Sequence, residues 1–168
     1  MNKIILKNGI FGGLAVCVGM VYISYTLIND PNVMPSMTFG FASMFVAFLF
    51  VLFGILQQRK ANNNVISFKV ALKTGILITL ITSTIYVLVW LVIYYNFFPD
   101  FIERMADITK KITPPEELEK ELENIEVYRN IYKTPLGIIG MTYVEILPLG
   151  TVLTLIYSAV VAFIMKKK

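Results

Sequence analysis

The chain has 168 residues, of which 57% are hydrophobic, and its mean hydropathy is +0.71. This composition excludes an ordinary soluble domain, in which about half of the residues at most are apolar. The formal net charge of +4 would suit nucleic acid, but the placement of the basic residues has a different explanation, given below. The sequence contains no histidine, which removes the usual general base and the commonest metal ligand.

Four long apolar stretches run along the chain, over about residues 4–28, 36–56, 70–98 and 136–165. Each is long enough to cross a hydrocarbon core of roughly 30 Å, which takes about 20 helical residues. Helices satisfy their own backbone groups in lipid. We therefore predict an all-α fold: an integral membrane four-helix bundle that forms a single membrane domain over residues 1–168.

Basic residues without acidic neighbours mark three places in the chain: both ends and the connection between spans two and three. They are Lys3, Lys7, Arg59, Lys60, Lys69, Lys73, Lys166, Lys167 and Lys168. The acidic residues outside the spans occupy the other two connections. By the positive-inside rule, both termini are predicted to be cytoplasmic, so the basic balance reflects topology and no nucleic-acid partner is expected. Lys69, Lys73 and residues 166–168 are candidate contacts for inner-surface lipid headgroups or a partner.

Small residues recur in the first span at helical spacing. Gly9 and Gly13 form a GxxxG pair, and Ala15 and Gly19 repeat the interval. This pattern predicts close helix–helix approach, although it does not identify the neighbouring helix. The single cysteine, Cys17, lies in the same span, so an intrachain disulfide is excluded.

The third connection, about residues 99–134, is predicted to be a short amphipathic helical hairpin on the outer side. Its first helix has apolar residues at helical spacing, namely Phe101, Met105, Ile108 and Ile112. Thr113 is the predicted N-cap of the second helix, with Glu116 placed for a capping box. The apolar face of this helix is predicted to contain Leu118, Leu122 and Ile125. Two interpretations stay open: a hairpin lying on the membrane interface, or a docking surface or cap over a cavity.

Glu145 is the one acidic residue inside an apolar stretch, and it makes span four the candidate functional element. An ionised carboxylate in lipid is costly, so Glu145 should be protonated, paired or in contact with a wet cavity. Pro148, three residues later, cannot donate to the carbonyl of Val144, so a kink and a free acceptor should lie beside the acid.

Polar side chains at comparable depth are the candidate partners of Glu145. They are Tyr22, Ser43, Ser83 and Tyr86. Lys73 is rejected as a counter-ion because it lies roughly 20 Å away along the helix axes. Glu145 is therefore either a functional group, for proton coupling or contact with a polar headgroup, or a neutral hydrogen-bonded residue that fixes helix packing.

Intrinsic catalysis is not predicted. A Ser-His-Asp set is impossible without histidine, and the sequence shows neither a metal-ligand cluster nor a glycine-rich phosphate loop after a strand. The acids of the third connection are spread around a helix, as on a solvated face. Neither a cofactor nor a metal is expected.

Three segments carry a family resemblance that covers essentially the whole chain: Val65-Ile-Ser-Phe-Lys at the entry to span three, the run from Gly75 to Trp90, and Met141-Thr-Tyr-Val-Glu-Ile-Leu-Pro-Leu-Gly in span four. The chain resembles Domain of Unknown Function 4199, a family of bacterial membrane proteins found mainly in Bacteroidetes. The resemblance implies the bacterial cytoplasmic (inner) membrane and a topology, without an established activity. It also suggests a partner, since genes of this family are associated with a glycosyltransferase that resembles polyprenyl-phosphate mannose synthases.

Two functions are therefore expected. The first is a non-catalytic accessory or anchor subunit, partnering a polyprenyl-phosphate glycosyltransferase. The alternative is a small proton-coupled transporter or a translocator of lipid-linked substrates, which would use Glu145 and form a homo-oligomer. A hydrated cavity reaching Glu145 would favour the alternative, and a dry core with an exposed apolar or basic inner surface would favour the subunit.

Overall fold

The computed structural model describes residues 2–30 and 35–165, and in these residues the chain is helical with no strand. The helices are α1 (Lys3–Asn29), α2 (Met37–Ala61), α3 (Phe68–Phe97), α4 (Phe101–Ile112), α5 (Pro115–Tyr132) and α6 (Pro135–Ala159), which continues as a π-helical turn over Val160–Ile164. The predicted all-α fold class is confirmed.

The long helices begin at side-chain caps. The hydroxyl oxygens of Ser36, Ser67 and Thr134 accept from the backbone N–H three residues later, at 3.3, 3.4 and 3.1 Å. Such caps satisfy donors that the first helical turn leaves free. In the connection between α2 and α3, Asn63 and Asn64 adopt positive φ values of 53° and 64°, which asparagine tolerates better than most residues.

The first and last described residues, Asn2 and Met165, lie with the α2–α3 loop at one end of the bundle, here called the basic end. The Asn2 amide donates to Gln58 at 2.6 Å, and the Arg59 guanidinium donates to the Met165 carbonyl at 2.5 Å. The Phe68 and Phe163 rings stack with their centroids 5.6 Å apart. The opposite end carries α4 and α5 and is called the hairpin end.

Close packing holds the four long helices together. The glycine pair in α1 faces α3: a Cβ at Gly9 would lie 2.7 Å from Ile81, and one at Gly13 would lie 2.5 Å from Ile85. The hydroxyls of Thr79 in α3 and Thr154 in α6 are hydrogen-bonded at 2.8 Å in the buried core. The small residues of α1 therefore allow the close approach that the sequence predicts.

α4 and α5 form the helical hairpin, and two details differ from the sequence expectation. The N-cap of α5 is Pro114, without a side-chain cap bond, so Thr113 does not cap it. The reason is that Pro115 takes the first helical position, where its missing N–H costs nothing. The buried face of α4 is formed by Ile102, Ala106, Ile108 and Thr109, whereas Ile112 is 61% exposed, so the face is rotated from the predicted one.

Four of the described helices, residues 3–29, 37–61, 68–97 and 135–164, are long and apolar enough to cross a membrane. Many of their large apolar side chains point away from the bundle, for example Val18 at 72% and Val144 at 64% exposure. Lipid rather than water is the solvent that suits such a surface. The chain is a multi-pass membrane protein.

An ion pair fastens α4 to α5. The Arg129 guanidinium donates two hydrogen bonds to the Glu103 carboxylate, at 2.8 and 2.9 Å, and also contacts Glu126. The hydrogen bonds from Arg129 hold the pKa of Glu103 below its usual range. Two parallel bonds fix orientation as well as distance.

The hairpin should therefore loosen in acid. The pKa of Glu103 is lower in the folded protein than in the unfolded chain. The stability that its ion pair gives to the hairpin is therefore complete above the ordinary carboxyl pKa of 4.5, and it is lost as the pH falls through the folded pKa. The fluorescence of Trp90, the only tryptophan, should report this loss, because its ring packs against Phe101 of α4 at 5.2 Å. Glu103→Gln should remove the transition, and Asp107→Asn should keep it. An unchanged transition in Glu103→Gln would refute the assignment.

Candidate ligand-binding cavity

An open cavity of about 820 Å³ lies at the hairpin end, within the bundle and beneath α4 and α5. It is lined by the last half of α1, the first half of α2, the last third of α3, the hairpin and the first half of α6. Towards the basic end, α2 and α6 come together where a Cβ at Gly150 would lie 2.5 Å from the Phe48 ring. The cavity is thus a gap between helices whose other halves are tightly packed.

Glu145 lies in the wall of this cavity and its side chain is exposed to it. It is about 15 Å along the α6 axis from Pro135, which places it well inside the apolar stretch. The Tyr86 hydroxyl of α3 donates to the Glu145 carboxylate at 3.3 Å. One long hydrogen bond leaves most of the acceptor capacity of a carboxylate free. The group is therefore placed to contact a bound molecule or water.

Aromatic rings form much of the remaining wall. The rings on the cavity are those of Phe41, Tyr86, Trp90, Phe101, Tyr128 and Tyr132. Trp90 packs edge-on against Phe101 at 5.2 Å, and Phe101 stacks with Tyr132 at 6.4 Å, which joins α3, α4 and α5. These contacts pre-order a wall that presents both ring faces and hydroxyl groups.

The Tyr132 hydroxyl stays protonated across the physiological range. Burial raises the pKa of Tyr132 to about 12, and the negative charge of Glu145 acts in the same direction, while a hydrogen bond with the Trp90 side chain acts in the opposite one. A hydroxyl in this state can donate to a polar ligand group. Tyr132 therefore adds a second polar contact to the cavity, on the hairpin side.

Methionine forms the flexible part of the lining. Among the described residues, five methionines line the cavity, namely Met20, Met37, Met44, Met105 and Met141. Their unbranched, polarisable side chains adapt to irregular apolar shapes, as at binding surfaces that accept many ligands. The cavity is thus suited to an apolar moiety of variable shape.

The four polar residues expected near Glu145 lie in different environments. Tyr86 contacts Glu145, and Ser43 lines the same cavity while donating to the Gly40 carbonyl at 2.7 Å. Tyr22 is 58% exposed and packs against the Phe39 ring at 4.9 Å. Ser83 is fully buried, and its hydroxyl lacks a hydrogen-bond partner in the described part of the chain.

The other sequence candidates lie outside the cavity. α6 runs through Pro148 without interruption, and that residue is exposed. Lys69 and Lys73 are exposed near the start of α3, at the basic end. Lys166, Lys167 and Lys168 lie outside the described residues.

Sequence reasoning missed most of the cavity wall. It assigned no site role to Trp90, Tyr128 or Tyr132, and of the methionines on the wall it used only Met105, on the apolar face of the first hairpin helix. The open alternative of a cap over a cavity was the signal that pointed to α5. Among the described residues, the cysteine and acidic side chains form no group of three or more that could hold a metal ion.

Fold and site together define a class: a small multi-pass helical membrane protein with an open, carboxylate-bearing cavity at one end of its bundle. The chain belongs to the family described as "Protein of unknown function (DUF4199)", whose model matches residues 7–167. No curated protein and no solved structure matches the chain.

Proposed function

We propose that the protein binds an amphipathic molecule in this cavity, as the binding step of a small transporter or translocator, without catalysing a reaction. The observation that carries the proposal is the position of Glu145 in the wall of an open cavity of about 820 Å³. This size falls within the range of pockets that hold small organic ligands. A residue that only fixed helix packing would be expected in a dry interface.

The polar and apolar parts of the cavity are arranged for such a molecule. Glu145, with Tyr86 at 3.3 Å, offers a polar contact at depth, and the methionines surround an apolar volume. Moving an apolar chain from the bilayer into an apolar cavity costs little free energy. A few polar contacts therefore decide which ligand is selected. This division of roles supports a membrane-soluble ligand.

We further propose that the basic end, with both termini, faces the cytoplasm of a bacterial inner membrane. The support is the clustering of Lys3, Lys7, Arg59, Lys69 and Lys73 at that end. In this orientation the cavity opens in the outer half of the bilayer.

The role of accessory subunit for a polyprenyl-phosphate glycosyltransferase stays a prediction. It is tested by purification of the tagged protein from its own host in mild detergent, with mass spectrometry of the eluate. A stoichiometric glycosyltransferase would support the subunit. A homo-oligomer alone would leave the cavity as the functional feature.

Trp90 provides a direct test of binding, because the only tryptophan of the chain lines the cavity. A brominated long-chain alcohol, which quenches tryptophan on contact, should quench Trp90 saturably in protein held in lipid nanodiscs. The unbrominated alcohol should restore the emission by competition. Quenching that rises in proportion to the probe dissolved in the lipid, without saturation or competition, would contradict the proposal.

A further inference from the structure

Resting on the proposed function, we infer that the ligand is a hydrophobic organic cation, meaning an amine or quaternary ammonium group with an apolar chain. The inference comes from the charges and rings that line the cavity, which together favour one sign of ligand charge.

The charged residues on the cavity wall are both acidic. They are Glu145 of α6 and Glu121 of α5, and among the described lining residues none is lysine or arginine. Arg104 borders an adjoining small cleft that shares four lining residues with the cavity, but its guanidinium donates to Asp100 at 2.9 Å and lies 5.4 Å over the Phe98 ring. A cation entering the cavity therefore meets two carboxylates, whereas an anion meets repulsion without a compensating charge.

The aromatic wall supports the same choice. An ammonium group is attracted to the faces of tryptophan, tyrosine and phenylalanine rings within about 6 Å of their centroids. Tyr86 is hydrogen-bonded to Glu145, so a ring and a carboxylate lie side by side at depth. Trp90, Phe101 and Tyr132 extend the ring surface from that point towards the hairpin. Aromatic rings beside an acidic group are suited to quaternary ammonium ligands, which are attracted to the ring faces.

The apolar chain of the ligand fits the methionine-rich remainder. Met20 of α1, Met44 of α2 and Met141 of α6 come from three different helices, and methionine is the side chain that fits most readily to irregular apolar shapes. The selectivity should therefore lie in the charge of the ligand rather than in the shape of its chain. A phosphate-linked lipid is the disfavoured class, because its headgroup would face Glu145.

The test compares three brominated probes of equal chain length: an alkyltrimethylammonium, an alkyl alcohol and an alkyl phosphate. Their affinities are measured by saturable quenching of Trp90 in nanodiscs of zwitterionic lipid, so that the bilayer itself does not select by charge. We expect the ammonium probe to bind about tenfold more tightly than the alcohol, as the attraction of its charge to the rings and the carboxylate would provide, and the phosphate to bind more weakly than the alcohol.

Glu145→Gln keeps the shape of the side chain and lets Tyr86 donate to an amide oxygen. In this variant the preference for the ammonium probe over the alcohol should fall to the smaller factor that Glu121 and the aromatic rings supply, and saturable binding of the alcohol shows that the cavity is still formed. Glu121→Gln should reduce the preference for the cation by a smaller factor, because Glu121 lies on the hairpin rather than within a span.

The possible results distinguish failure of the cation assignment from failure of the proposed function. Equal binding of all three probes to the unmodified protein, or preference for the phosphate, would overturn the cation and leave an amphiphile-binding cavity. Saturable binding of none of them would overturn the proposed function as well. A preference for the cation that is undiminished in both Glu145→Gln and Glu121→Gln would contradict the assignment of charge selection to these residues.

Discussion

Phenylalanine in place of Gly40 should abolish most ligand binding, with an affinity for the brominated alcohol at least about tenfold weaker. Gly40 lines the cavity from α2, and a Cβ there would meet only Ile23 Cδ1, at an ordinary 3.9 Å. The new ring therefore has room to enter the cavity and occupy the space of the ligand. Quenching of Trp90 by the same probe measures the loss.

Gly140→Phe is the matched control, since it adds the same side chain elsewhere. A Cβ at Gly140 of α6 has nothing within 4 Å, and this glycine does not line the cavity. Its affinity should equal that of the unmodified protein. Equal binding by both variants would show that the quenching does not report the cavity.

Gly150→Ala should destabilise the bundle, although alanine is the better helix former. A Cβ at Gly150 would lie 2.5 Å from Phe48 Cζ and 2.7 Å from Thr79 Cγ2, and the Phe48 ring is itself fully buried. Overpacking of this kind costs about 1–3 kcal/mol, which exceeds the gain from replacing a helical glycine. Thermal unfolding in detergent should show a lower midpoint.

Gly140→Ala is the control for Gly150→Ala, because it changes the helix propensity in the same way without overpacking the core. With open space around the new methyl group, the variant should be unchanged or more stable, by up to about 1 kcal/mol. The two alanine variants should therefore shift the midpoint in opposite directions. A Gly150→Ala protein as stable as Gly140→Ala would mean that α2 and α6 do not meet at the floor of the cavity.

The membrane helices could be predicted from the sequence because length and hydropathy alone decide them. Residues 4–28 were expected and α1 covers Lys3–Asn29, and the other three spans agree similarly. Helix ends in the hairpin were harder, because Pro115 at the first helical position moved the cap away from Thr113. Local sequence also misplaced the buried face of α4, which is chosen by its contacts with α5 and the bundle.

The cavity could not be predicted because it depends on how helices distant in the chain separate. Glu145 was identified from the sequence as a costly carboxylate within an apolar stretch, and Tyr86 as one of four candidate partners. Periodicity cannot say that α2 and α6 pack at Phe48 and Gly150 but leave space at Met44 and Met141. The role of the rings of α5 likewise follows only from the way the hairpin folds over the bundle.

The most direct test of the account is the reactivity of a single cysteine at Met141, which lines the cavity one helical turn from Glu145. In a Cys17→Ser background, Met141→Cys should react with a charged, water-soluble thiol reagent, and the long-chain alcohol should protect it. Ser83→Cys, at a fully buried position, should stay unreactive. If a folded Met141→Cys protein is as unreactive as Ser83→Cys, the cavity is closed to water and ligand, and the central claim is wrong.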